Sequence, residues 1–198
     1  MAMKVISLGR ACDTAHQIRK NFDQPETYPF DWLITPLEAL TALVSNDFEG
    51  FLREENLSAQ PTYVEDVRYS VRLLHDFPDH KIESDILRVV QEKYDRRISR
   101  WRDALFNAEK ILFVRGQQYN DENVMGAQQS ADLLKCLEGL NLQADWRLLV
   151  QNPTEAHVEL LSHGRLVMGE LRMPEPFSWT GDDKEWSRWL QTGLHAFG

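Results

Sequence analysis

Lys110–Arg115 reads KILFVR and Trp146–Val150 reads WRLLV, with leucines at 133, 134, 137 and 140 between them. The two outer runs are short and nearly all apolar, as strands covered on both faces are, and leucines at three- and four-residue spacing mark an amphipathic helix. A strand, a helix and a strand in that order imply a parallel pair.

Outward toward the N-terminus, Ile82, Ile86, Val90, Tyr94, Ile98, Trp101 and Leu105 recur at helical spacing, the strongest periodicity in the chain, and predict a long amphipathic helix. Tyr69 to His75 alternates imperfectly and predicts a strand closed by Pro78. Residues 54 to 66 read as loop. In Tyr28–Ile34 (YPFDWLI) Pro29 keeps the chain extended, and Thr35, Pro36 and Glu38 then form an N-cap, an N1 proline and a capping-box acid, so a helix is expected from Pro36, with Leu37, Leu40 and Leu43 on its apolar face. At the start, Lys4–Leu8 (KVISL) is a strand stopped by Gly9, and Ala11–Asn21 a helix with Ala15 and Ile18 on its apolar side.

Toward the C-terminus, Arg165 to Leu171 adds one more strand, and Trp186, Trp189, Leu190 and Leu194 give an apolar face to a closing helix. The fold expected is α/β: a largely parallel sheet with helices on both faces, in a single domain over residues 1–198.

Composition narrows the function classes. The chain has 198 residues, 42% hydrophobic and 27% charged, which is enough apolar material for a globular core. A net charge of −9 with interspersed arginines repels a phosphate backbone, so no nucleic-acid partner is expected. No run approaches the roughly 20 apolar residues of a membrane span, and MAMKVISLG lacks a secretory pattern. The expectation is a cytoplasmic protein without membrane association. Two cysteines, Cys12 and Cys136, form neither a disulfide framework nor a zinc set, and in a reducing compartment both stay thiols.

Ligands of such folds collect at strand ends, where Gly9–Cys12 and His75 both fall. Cys12 in the first helical turn would lie among unpaired backbone N–H groups, a setting that lowers a thiol pKa; Arg10 would help and Asp13 oppose. The plainer reading is a small residue packed at a crowded turn. A thiol nucleophile needs a base, and His75, after an apolar strand and before Asp76, is placed best. His16, one helical turn beyond Cys12, is a second candidate, whereas His80, His157, His163 and His195 sit in polar surroundings. Asp31, enclosed by aromatics, would have to be paired if buried, and could orient the base or cap a turn.

His75, Asp76, Asp79 and His80 are metal-type residues, but no second motif completes a site, so no metal or cofactor is expected. There is no Gly-rich phosphate loop and no G-x-S-x-G elbow, and Ile18 rules out the C-x5-R phosphatase spacing. Cys136, on the leucine-rich helix, reads as core filler. Arg96, Arg97 and Arg100 read first as a solvated helix face, the alternative being that one turns inward toward Asp31 or a substrate carboxylate.

With those residues in hand, the chain resembles a family of unknown function described as putative papain-like cysteine peptidases. Its landmarks stand here as Ser7-Leu8-Gly9-Arg10-Ala11-Cys12, Pro29-Phe30-Asp31-Trp32, His75-Asp76, Arg96-Arg97-Ile98-Ser99-Arg100 and Leu112-Phe113-Val114-Arg115, over roughly residues 4 to 150. The resemblance implies a thiol nucleophile at Cys12, a base at His75 and an acidic helper at Asp31 or Asp76, acting on an acyl bond of a peptide or small molecule. Ser7, Gly9, Arg10 and Trp32 would then border the substrate. Two rival readings stand beside it: a noncatalytic binding domain whose pocket is built by Ser7–Cys12 and Pro29–Trp32, and an esterase or carbohydrate-modifying enzyme using Ser7.

Overall fold

The structure is a computed structural model and describes residues 3–116, 126–151, 163–172, 174 and 178–198. Four strands form a parallel sheet: β1 (Met3–Ser7), β6 (Lys110–Arg115), β7 (Asp145–Gln151) and β8 (Leu166–Gly169), side by side in that order. The helices are α1 (Cys12–Asn21), α2 (Leu37–Ser45), α3 (Ser84–Asn107), α4 (Ala127–Glu138) and α5 (Asp183–His195).

Alternation along the central strands sorts their side chains onto two faces. Ile6, Ile111, Phe113, Leu148 and Val150 face a large core shared with α2, α3 and α4, where Leu40, Leu43, Tyr94, Trp101 and Leu133 are buried. Val5, Leu112, Val114 and Leu149 face the opposite way, against Ile18 of α1 and Trp186, Trp189 and Leu190 of α5. Burial on both faces is why KILFVR carries no polar alternation.

Between β1 and β6 the chain adds a second sheet, antiparallel, in the order β2 (Leu33–Ile34), β5 (Val71–Leu73), β4 (Val64–Asp66) and β3 (Leu57–Ala59). This corrects the reading of residues 54 to 66 as loop. The strands have two or three residues each, too few for a period to show, and Asp66 occupies a buried position in β4. There its carboxylate accepts backbone N–H groups of Leu52 at 2.8 Å and Arg68 at 3.1 Å, so a charged residue replaces the apolar one a strand pattern would show. Leu33, Val64, Val71 and Leu73 join the same core as the α2–α4 face, so the small sheet extends that core.

A second correction concerns α2. Pro36 is its N-cap and no side chain caps it, whereas Thr35 is buried below it with its backbone N–H donated to the Arg10 carbonyl at 2.9 Å. Thr35 is spent on tying the β2 exit to the β1 exit rather than on starting a helix.

Candidate active site

The β1 exit is built by one glycine and one arginine. Gly9 has φ +75°, and a Cβ there would lie 3.3 Å from Arg115 Nη1 and 3.5 Å from Thr35 Cβ, so the turn admits no side chain without strain. Arg115, at the end of β6 and only 3% exposed, donates to the Leu8 carbonyl at 2.7 Å and the Thr35 carbonyl at 2.9 Å. Burial and the neighbouring Arg10 lower its pKa to about 9, which still leaves it charged at neutral pH. The clamp holds the turn that delivers Cys12 as the first residue of α1.

From the other sheet, the exit of β5 delivers Leu74, His75 and Asp76 to the same place. Cys12 Sγ lies 3.8 Å from His75 Nε2, a contact between residues 63 apart in sequence. The pair borders a cavity of about 640 Å³ lined also by Trp32, Leu74, Asp76, Lys93, Arg97 and Trp179. Trp32 takes φ +67°, a conformation rare for a bulky residue, at the tight turn in which Asp31 N–H donates to the Tyr28 carbonyl at 3.2 Å.

The acids near the pair are committed elsewhere. Asp76 is paired with Lys93 and accepts the Tyr94 hydroxyl at 3.0 Å. The Asp31 carboxylate accepts the Tyr28 N–H at 2.9 Å and is fully enclosed, which pushes its pKa up to about 7. Among the described residues neither carboxylate is hydrogen-bonded to His75, so the structure assembles a thiol–imidazole pair and not a three-membered relay. Asp13, buried behind Cys12, binds the Thr14 N–H at 2.7 Å and is pushed up to about 6 by its burial.

The expected lowering of the Cys12 pKa is reversed. Burial, then Asp13, raise the thiol to about 11, with Asp76 adding in the same direction, and its own backbone N–H only partly offsets them. At neutral pH the sulfur is therefore a thiol. Desolvation wins because the residue is 6% exposed.

Of the residues expected to border a substrate, Trp32 lines the cavity. Ser7, Gly9 and Arg10 are not among the lining residues; Gly9 and Arg10 shape the turn, and the Ser7 hydroxyl, 2% exposed, accepts the Gly9 N–H at 3.1 Å. His16 packs edge-on against Trp179, ring centroids 5.3 Å apart. Of Arg96, Arg97 and Arg100 in α3, Arg96 and Arg100 are exposed and Arg97 is buried, turned inward to the Asp31 main-chain oxygen at 3.1 Å. His157 lies outside the described residues.

Reading the sequence did not single out Lys93, Tyr94, Arg115 or Trp179 for the site. Arg115 carried a signal, a charge closing an otherwise apolar strand at the end where ligands bind. Trp179 carried none: it sits in a turn whose place is set by Gln17 of α1, which donates to the Thr180 carbonyl at 2.7 Å and Asp183 Oδ1 at 3.0 Å. Among the described residues no group of three or more His, Cys, Asp and Glu is placed to hold a metal ion, and no helix is long and apolar enough to cross a membrane.

Fold and site together define an α/β protein with a cysteine–histidine pair at the carboxyl ends of its strands. Residues 3–145 match the model of a family described as "Putative papain-like cysteine peptidase", and the chain belongs to that family. It is also similar to an uncharacterized protein, R408, of Acanthamoeba polyphaga mimivirus, with 25% identity over 173 residues, covering 75% of this chain and 78% of that protein. No solved structure matches it significantly.

Proposed function

We propose that the protein is a cysteine-dependent acyl hydrolase or transferase in which Cys12 is the nucleophile and His75 its base. One observation carries this reading: Sγ and Nε2 lie 3.8 Å apart at the wall of a cavity large enough for a substrate. The family's description supports the same chemistry.

Because burial keeps the sulfur protonated, His75 acts as a general base during attack rather than as half of a preformed ion pair. Nε2 takes the thiol proton while sulfur bonds to the substrate carbonyl carbon, and the carbonyl electrons move to oxygen. The Cys12 backbone N–H, at the start of α1 and outside the helical ladder, is available to that oxyanion. Collapse of the adduct expels an amine or alcohol, which leaves with the proton held by His75, and the acyl group stays on sulfur as a thioester. Water, or an acceptor alcohol or amine, then gives a proton to His75 as its oxygen or nitrogen bonds to the acyl carbon, the carbon–sulfur bond breaks, and the released sulfur takes the proton back from His75.

The raised thiol favours one rival, a noncatalytic domain that binds a ligand in the same cavity. One experiment separates them: the rate of Cys12 alkylation as a function of pH in a Cys136→Ala background, with and without His75→Ala. A neutral-pH rate that drops at least tenfold when His75 is removed supports the general-base pair. Equal rates with and without the imidazole would sink it and leave the binding domain.

A further inference from the structure

We propose that the cavity takes a substrate carrying a carboxylate, and that Arg97 is the residue that binds it. The proposal deepens the acyl-transfer reading and rests on it for the role of Cys12, although binding at Arg97 can be measured without turnover.

Five titratable side chains line the cavity, and four are accounted for: Cys12 faces His75, and Asp76 is neutralised by Lys93. Arg97 is the fifth. It is 8% exposed, yet its hydrogen bond goes to a main-chain oxygen of Asp31 and its guanidinium stacks on the Tyr94 ring, 4.9 Å from the centroid. Both partners are neutral, and among the described residues Arg97 makes no ion pair. The nearby Asp31 carboxylate is bound to the Tyr28 N–H instead, with burial holding it close to half-protonated at neutral pH.

A buried cation whose nearby carboxylate is only about half ionised is incompletely compensated, and an anion arriving in the cavity completes that compensation. A planar fork of N–H donors matches two carboxylate oxygens, and a single, incompletely compensated cation suits a monoanion better than a phosphate dianion. Trp32, Leu74 and Trp179 supply the rest of the lining, which fits an apolar or aromatic body attached to that carboxylate.

The test compares alkylation of Cys12 by iodoacetate and by iodoacetamide in the Cys136→Ala protein. Both reagents consume the same thiolate, so their rate ratio is independent of the thiol pKa and reports only the preference for a carboxylate. Relative to free cysteine the ratio is expected to rise about tenfold, the scale of one charge-assisted hydrogen bond. It should return to the free-cysteine value in Arg97→Gln and be partly kept in Arg97→Lys. An unraised ratio in the unsubstituted cavity overturns the proposal, as does a raised ratio that survives Arg97→Gln in a protein that still melts cooperatively. If Cys12 reacts with neither reagent the acyl-transfer reading fails by itself, and Arg97 is judged by tryptophan fluorescence titration with 3-phenylpropanoate and 3-phenylpropanamide. About tenfold tighter binding of the acid, lost in Arg97→Gln, supports it; equal binding, or none of either, overturns it.

Discussion

Cys12 and Cys136 both stand at helix ends against the parallel sheet, and in both the first cause acting on the thiol is burial, which raises it. Cys136, in the last turn of α4, touches the Ser45 hydroxyl of α2 at 3.7 Å and the Thr41 carbonyl at 3.8 Å. Cys12, in the first turn of α1, touches an imidazole. The helix terminus, which sequence reading would use to rank the two, is overridden in Cys12 by desolvation. What separates them is the neighbour: a hydroxyl pairs with a thiol but is no base for it near neutral pH, whereas an imidazole has a ring nitrogen that can accept the proton as the sulfur attacks.

The largest expected effect comes from removing that neighbour. His75→Ala should lower acyl transfer by about 10²- to 10⁴-fold, the usual contribution of a positioned general base. His75→Ala should also slow alkylation of Cys12 and leave that of Cys136 unchanged, and mass spectrometry of the two labelled peptides measures both in one sample. A parallel slowing of Cys136 would show that His75 acts through the fold and dissolve the contrast.

The two regions also differ in their buried acids. Around Cys136 the acids Asp132 and Glu138 are exposed, while the Cys12 region encloses Asp31 and Asp13. The folded-state pKa of Asp31, about 7, stands above its ordinary 3.8, so the folded chain keeps a proton that the unfolded chain has released between those values. Stability from this group is therefore full below about pH 4, declines as pH rises to about 7 and is flat beyond, a loss on the order of 2 to 4 kcal/mol. Asp13, raised to about 6, slopes in the same direction. Asp31→Asn should flatten the larger part of the slope, read from urea midpoints between pH 4 and 8; an unchanged slope would place the proton elsewhere.

Smaller again, Gly9→Ala should destabilise by about 1–3 kcal/mol, since a Cβ is strained at its left-handed backbone and would sit tightly, 3.3 Å from Arg115 Nη1. Cys136→Ala, removing a half-buried sulfur, should cost about 1 kcal/mol or less in thermal melts. If the order of these two is reversed, the β1 exit is less constrained than its hydrogen bonds indicate.

Much of this contrast was legible beforehand. KILFVR and WRLLV are strands with nearly the expected ends, and α3 follows the periodicity from Val90 to Trp101. Cys12 and His75 stood out because both follow apolar runs, and strand ends are where α/β folds gather ligands. The small antiparallel sheet escaped because strands of two or three residues hold less than one full alternation, and because Asp66 is buried through backbone donors that no pattern reveals. Trp179 escaped because a turn residue has no period at all.

The sequence by itself determined the elements and their apolar faces, because hydrophobic periodicity is a local property that needs only the geometry of helix and strand. It determined equally that two thiols and a set of strand-end polar residues were available for chemistry. Only the tertiary structure decided that residues 12 and 75 meet, that Asp31 and Asp76 spend themselves on Tyr28, Lys93 and Tyr94, and that Arg97 turns inward while Arg96 and Arg100 do not. It also decided the direction of the Cys12 shift. Desolvation and charge pairing depend on what packs around a group in space, and chain neighbours do not specify that.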